Sequence, residues 1–334
     1  AAGGGVAHWD GSAWNDISPG TTNDLAAVWA GSPTDVWVVG QTNEILHFDG
    51  TTWTTTAAPI PASWRLDGIW GSGPDDIWAV GGTSVLHFDG TAWTLDGYSP
   101  PNWLRAVSGS SADNVIAVGD NGTAIRWNGS GWEDISDADG ESMRGIWVAN
   151  DLLAYSSGYG GTIGIWDGGH WTWMNARTGD LLHAVWGSAP DDVFAVGTSG
   201  VIRHHDGKHW LMHDSGTQES LYGVWAAAED DVFAVGANGA IIHRDAHTWS
   251  PMSSNTGVDL EGVWGSSGTD VFAVGEAGTV LHYTGDASGN WDPMTSGSGA
   301  YLWDVWGTSA TDVFAVGEGG TILHYDGNGA GTWT

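Results

Sequence analysis

The stretch 262–285, GVWGSSGTDVFAVGEAGTVLHYTG, carries the apolar pattern that organises the chain. Three short runs, GVW, VFAV and TVLHY, are parted by a Gly/Ser-rich step and by a tight turn, GEAG. Runs this short, rich in β-branched and aromatic residues and bounded by Gly, Asp, Asn or Ser, read as β-strands. No helical apolar period persists anywhere, so helix content is expected to be close to nil. The pattern returns at turn glycines Gly40, Gly81, Gly119, Gly158, Gly197, Gly236, Gly275 and Gly317, at intervals of 38 to 42 residues. A period near forty with several short strands is that of a propeller blade.

Four strands fit each period. In this repeat strand 1 is the LxxVWG run (260–265), strand 2 is DVFAVG (270–275), strand 3 is TVLHY (279–283), and strand 4 begins near Trp291. Strands 3 and 4 are joined by D-G-x-x-W, as at Asp49, Asp89 and Asp206, where Asp-Gly is expected to supply the positive-φ residues of a tight hairpin. The expected architecture is all-β: a β-propeller of four-stranded antiparallel blades, eight in number, forming one domain over residues 1–334. Strands 3 and 4 occur nine times, because residues 1–22 carry a surplus pair, VAHWDG followed by Trp14, ahead of repeats from about 23 to 334. A nine-bladed ring with a partial blade, or an open array, are the alternatives. The surplus pair also offers edge strands to another molecule or to a second copy.

Of the 25 Trp, 21 fall at template positions and are expected to fill the wedges between blades. Trp64, Trp103, Trp173 and Trp303 do not. Trp64, Trp103 and Trp303 lie within two residues of the Leu that opens strand 1, which puts them at one mouth of the ring. Aromatic side chains left unburied there suit stacking on a sugar or clamping a peptide. The third repeat lacks the strand 1 Trp, carrying Ser108, and the fourth reads AYSSGYGG for VFAVGxxG, which brings in Tyr155 and Tyr159.

Acid–imidazole pairs recur in the same way. His47, His87, His204, His243, His282 and His324 hold one position of strand 3, and Asp35, Asp76, Asp192, Asp231, Asp270 and Asp312 hold one position of strand 2. Facing each other on a hairpin, they are expected to hydrogen-bond as structural staples. Where the Asp position holds Leu153 the partner is Ile165, and where it holds Asn114 the partner is Arg126, so both members change together. Six identical catalytic dyads in one chain make no chemical sense. His204, His205, His209 and His213 form a local cluster that could hold a transition metal, on weak spacing. Calcium suits an acidic chain, yet no D-x-D-x-D-G loop is present, and no cofactor is expected.

Net charge is −32, from 40 Asp and Glu against eight Lys and Arg. Such a surface repels nucleic acid, whose phosphates need Lys and Arg. There is no Cys, hence no disulfide or thiol chemistry, and no apolar run long enough to insert in a membrane. The acidic, Lys-poor, Cys-free composition suggests an exported, extracellular or cell-surface bacterial protein.

At TILHYDGNGAGTW and EILHFDGTTW the chain resembles the BNR/Asp-box propellers, a group that includes sialidases and the photosystem II assembly-factor type. Their blades carry G-x-G-T-I-x-x-(S)-x-D-G-G-x-x-W. The resemblance spans essentially the whole chain and implies the propeller fold. The family's Ser two places before the Asp is His in this chain, and its second Gly is usually missing. The repeat VWGSxxxDVFAVGxxGTILHYDG also resembles those of exported myxobacterial-type surface proteins.

A sialidase-type enzyme needs an arginine triad with a Tyr/Glu pair and a further acid. The seven arginines are Arg65, Arg105, Arg126, Arg144, Arg177, Arg203 and Arg244, of which Arg65, Arg105 and Arg144 recur at the start of strand 1 in three successive blades. No Tyr/Glu constellation accompanies them, so an enzyme is not expected. The expectation is a protein-interaction or assembly module, with lectin-like carbohydrate binding as the alternative. The candidate ligand-binding residues are Trp64, Arg65, Trp103, Arg105, Arg144, Tyr159 and Trp303.

Overall fold

The computed structural model of the protein describes residues 7–9, 14–16, 20–137, 140–175, 181–285, 289–327 and 333. Eight antiparallel sheets form the blades of a closed propeller. Seven are four-stranded, over residues 25–57, 68–95, 104–134, 143–175, 182–213, 221–252 and 260–293, and the eighth has three described strands over residues 302–325. Strand 1 of each blade is innermost and touches strand 1 of the next blade, including that of blade 8 against blade 1. The backbone N–H of Val28 donates to Asp304 Oδ2 across this closing junction at 3.2 Å, and Phe48 packs against Phe314.

Residues Ala7–Trp9 and Trp14–Asp16 pair with each other in a two-stranded sheet, Trp9 opposite Trp14. The side chains of this pair and the remaining residues up to 19 lie outside the described residues.

The period-marking glycine has a steric cause. At all eight positions a Cβ would overlap the carbonyl oxygen of the residue just ahead of the strand 1 Leu or Met, as with Asp24 for Gly40, Trp103 for Gly119 and Tyr301 for Gly317. The end of strand 2 lies against the entry to strand 1, so only Gly fits. A second lock runs between blades. The strand 1 Trp of one blade lies over a strand 1 glycine of the next: Trp29 over Gly71, Trp70 over Gly109, Trp147 over Gly187, Trp225 over Gly265 and Trp264 over Gly307. An added Cβ there would meet the indole at 2.5 to 2.8 Å. Blade 3 has Ser108 instead of Trp, and blade 4 correspondingly has Val148 instead of Gly, its N–H donating to Ser108 Oγ at 3.3 Å.

The outer wedges are aromatic. In six blades the strand 4 Trp meets the strand 2 aromatic ring of the preceding blade edge-on, as with Trp93 on Trp37 at 5.5 Å, Trp291 on Phe233 at 5.9 Å and Trp333 on Phe272 at 5.8 Å. Such edge-to-face pairs add roughly 0.5–1.5 kcal/mol to the area they bury.

One expectation about the hairpins changes. In the D-G turns only the Gly takes positive φ (Gly50 at 89°, Gly90 at 85°), while the Asp caps the turn. Asp49 Oδ1 accepts the N–H of Thr51 and of Thr52 and the Thr51 hydroxyl, and these bonds hold its carboxyl down at about 2. Between strands 2 and 3, six blades carry a tight three-residue turn such as Glu276–Gly278, in which Ala277 and Gly278 take positive φ (58° and 69°), and helix content is close to nil as expected.

Candidate functional site

The repeated Asp and His side chains build the blades. His47 stands opposite Trp37 in the register and stacks on it at 3.9 Å, while Asp35, one step diagonal on the same face, takes the Nε2 bond at 2.8 Å. The expected direct opposition of Asp and His is thus corrected, because the strand 2 ring occupies the facing position. The other five pairs, Asp76–His87, Asp192–His204, Asp231–His243, Asp270–His282 and Asp312–His324, span 2.6 to 2.8 Å. In blade 3 Arg126 Nε donates to Asn114 at 2.7 Å.

Ser72, Ser188, Ser266 and Thr308 add a hydroxyl to four of these Asp side chains. The order is hydroxyl–carboxylate–imidazole. A nucleophilic triad needs the imidazole between the other two groups, so this arrangement cannot activate the hydroxyl. Among the described residues no three His, Asp or Glu side chains gather as metal ligands would, the His204 to His213 cluster included.

The variable part of the repeat is the second residue of strand 1. Around the mouth it reads Ala26, Asp67, Arg105, Arg144, His183, Tyr222, Glu261 and Trp303. Arg65 precedes this ring by two residues rather than belonging to it, and its guanidinium pairs with Asp67. These side chains border a channel cavity of ≈ 1020 Å³. The cavity is eccentric: blades 1 to 5 line it down strand 1, whereas blades 6 and 7 contribute only Tyr222 and Glu261. Trp186 of blade 5 meets Trp306 of blade 8 at 5.9 Å, bridging the channel and fencing off that side.

On blades 2 to 4 the rim is cationic and aromatic. Arg105 binds both carboxylate oxygens of Asp120, at 3.1 and 2.8 Å, and lies over the Trp103 ring at 5.1 Å. Arg144 is exposed, donates to the Tyr159 hydroxyl, and lies over that ring at 5.0 Å. Burial raises the Asp67 carboxyl, against the pull of Arg65, Arg105 and Arg144. Burial and the nearby Arg144 lower His183.

Among the described residues the exposed large apolar side chains include only four aromatics, Trp64 (41%), Trp103 (49%), Tyr159 (39%) and Trp303 (38%). Trp303 borders the cavity and stacks on Tyr301 at 4.1 Å. Trp103 lies in a second groove of ≈ 520 Å³ with Pro101, Asn102, Arg105, Asp120 and Asn121. Trp64 is outside both linings. Trp173 is half-buried, stacked on Trp171 and donating to Asp137 at 2.7 Å. Arg177 lies outside the described residues.

Asp304 had no place among the candidates. It holds a strand 1 position that is Gly or Ala in the other seven blades. Burial in the channel wall pushes its carboxyl up to about 6, against the backbone N–H bonds from Val28 and Val305. Protein surrounds the group, although channel solvent still reaches part of it.

No protein-family model matches the sequence, and no curated protein does. Solved structures share the fold. One described as "YCF48 bound to D1 peptide" is 17% identical, with a TM-score of 0.63, covering 96% of this chain and 97% of that one. YCF48 from Cyanidioschyzon merolae is 16% identical, with a TM-score of 0.63, covering 95% and 100%. The WD40 β-propeller domain of Doa1 is 14% identical, with a TM-score of 0.60, covering 91% and 93%. At these identities the likeness establishes a β-propeller and nothing finer.

Proposed function

We propose that this propeller is a non-enzymatic protein-interaction module, exported or displayed at the cell surface, that holds a carboxylate-bearing partner segment on the cationic sector of its mouth. One observation carries this reading: in a chain of net charge −32 with eight Lys and Arg, three arginines border one cavity on successive blades. Exposed aromatic side chains flank two of them, and Arg with Trp or Tyr is the combination that anchors protein partners. That YCF48 has been captured with a peptide, and that a WD40 domain shares the fold, agrees with the reading by analogy. A random peptide library selected on the immobilised protein should enrich Asp, Glu or a free carboxyl terminus. Arg144→Glu should weaken the selected peptides about tenfold or more, as charge reversal at a contact does. Enrichment without acidic character would overturn the reading.

Carbohydrate binding is the second reading, favoured by the Trp103 groove. An exposed indole beside the amides of Asn102 and Asn121 and the Asp120 carboxylate suits a sugar ring and its hydroxyls. A glycan array should then give a signal that Trp103→Ala abolishes; a blank array rejects it.

A further inference from the structure

The cavity has features that a peptide lying across the mouth does not use. Below the rim it is bordered by Trp70, Trp147, Trp186 and Trp306, each only partly buried, so that part of each indole reaches the open space. Between Trp70 and Trp147 the aromatic wall has a notch, because Ser108 stands where every other blade has Trp, on the same strand as Arg105. Three polar atoms of bordering side chains are buried with no hydrogen-bond partner: Arg65 Nε, Asp67 Oδ2 and His183 Nε2. The Asp67 side chain is only 7% exposed. A polar atom left unpaired at that depth is costly, and a site awaiting a polar ligand is one way such atoms persist.

We propose that the cavity under blades 1 to 5 binds a small aromatic carboxylate, its ring system seated in the Ser108 notch between Trp70 and Trp147 and its carboxylate on Arg144 and Arg65. The volume of ≈ 1020 Å³ is that of a small-molecule pocket, for which roughly 300–1,000 Å³ is usual. The sign of charge follows from the rim. Arg144 has no carboxylate partner among the described residues, whereas Arg105 is already held by both oxygens of Asp120. A ring hydroxyl would find an acceptor in Asp67 Oδ2. The acid of the opposite wall, Asp304 on blade 8, disfavours the anion there and fixes its orientation.

Calorimetry of the whole chain with 2-naphthoate tests this without any partner protein, so its outcome is independent of the peptide reading. One site per chain is expected, at least tenfold tighter than for 2-naphthylmethylammonium. Arg144→Gln should weaken it at least tenfold. Ser108→Trp/Val148→Gly should abolish it, since that pair re-creates the Trp-over-Gly junction found at five other blade junctions and fills the notch. Thermal melting checks that the double variant folds; should it not, the exposed Arg144→Gln decides alone. Absence of binding at millimolar naphthoate, equal affinity for the amine, unchanged affinity in Arg144→Gln, or binding that survives the filled notch would each overturn the proposal.

Discussion

The two halves of the mouth are built from the same strand positions and have opposite character. On blades 2 to 5 those positions present Asp67, Arg105, Arg144 and His183, with Arg65 just ahead of Asp67 and paired to it. On blades 6 to 8 it presents Tyr222, Glu261 and Trp303, and there the polar groups satisfy one another. Tyr301 donates to Glu261 at 2.6 Å, and the Asn238 amide and backbone N–H bind Glu219 and Asp259. Burial, with Asp259 nearby, raises the Glu261 carboxyl, so that half has little use for further acid. The cationic half keeps an exposed Arg144 and buried atoms without partners. A constant scaffold therefore carries a closed sector and an open one, and the open one is where a ligand gains most.

The largest expected effect separates scaffold from rim. Gly119→Ala drives a Cβ into the Trp103 carbonyl, which backbone must yield to, and should cost about 3 kcal/mol or more. Arg144→Ala should change stability by less than about 0.5 kcal/mol, as exposed positions do. Comparable losses in thermal or denaturant melts would erase the distinction between the two classes of position.

A smaller effect comes from Asp304. Its folded carboxyl lies near 6, above the ordinary 3.8, so the ionised form is disfavoured in the folded chain. The cost is absent below the unfolded value, grows as pH rises from about 4, and is complete above about 6. Asp304→Asn keeps an oxygen for the Val28 N–H and removes the charge. It should be more stable than the parent by about 1–3 kcal/mol at pH 7.5, after allowing for channel solvent, and equal to it at pH 4. A difference that does not depend on pH would mean that ionisation of Asp304 carries no such cost.

Much of the fold could be read along the chain because its causes are local and repeated. The turn glycine answers a contact within one blade, and Asp35 and His47 meet within one hairpin. The Ser108–Val148 exchange was equally present in the sequence, but its logic needs the neighbouring blade, forty residues away. Arg105 and Arg144 stood out by recurrence, whereas His183, Tyr222 and Glu261 did not, since they differ from one another. Aligning the repeats and reading the one column that varies would have found them. Asp304 carries the same kind of signal, a lone acid in a column of Gly and Ala. The eccentric cavity had no such trace. It depends on Trp186 reaching Trp306 across the ring, a contact set by ring radius rather than by any local pattern.

The most direct test reverses the charge of the cationic sector, neutralises that of the acidic one, and measures the affinity of each variant for the acidic peptides selected on the parent chain. Arg105→Glu/Arg144→Glu should abolish binding, and Asp259→Asn/Glu261→Gln should leave it within about threefold, since the contacts lie in the other half. Equal loss in both variants, or retention in the first, would contradict the claim that the cationic sector is the functional site.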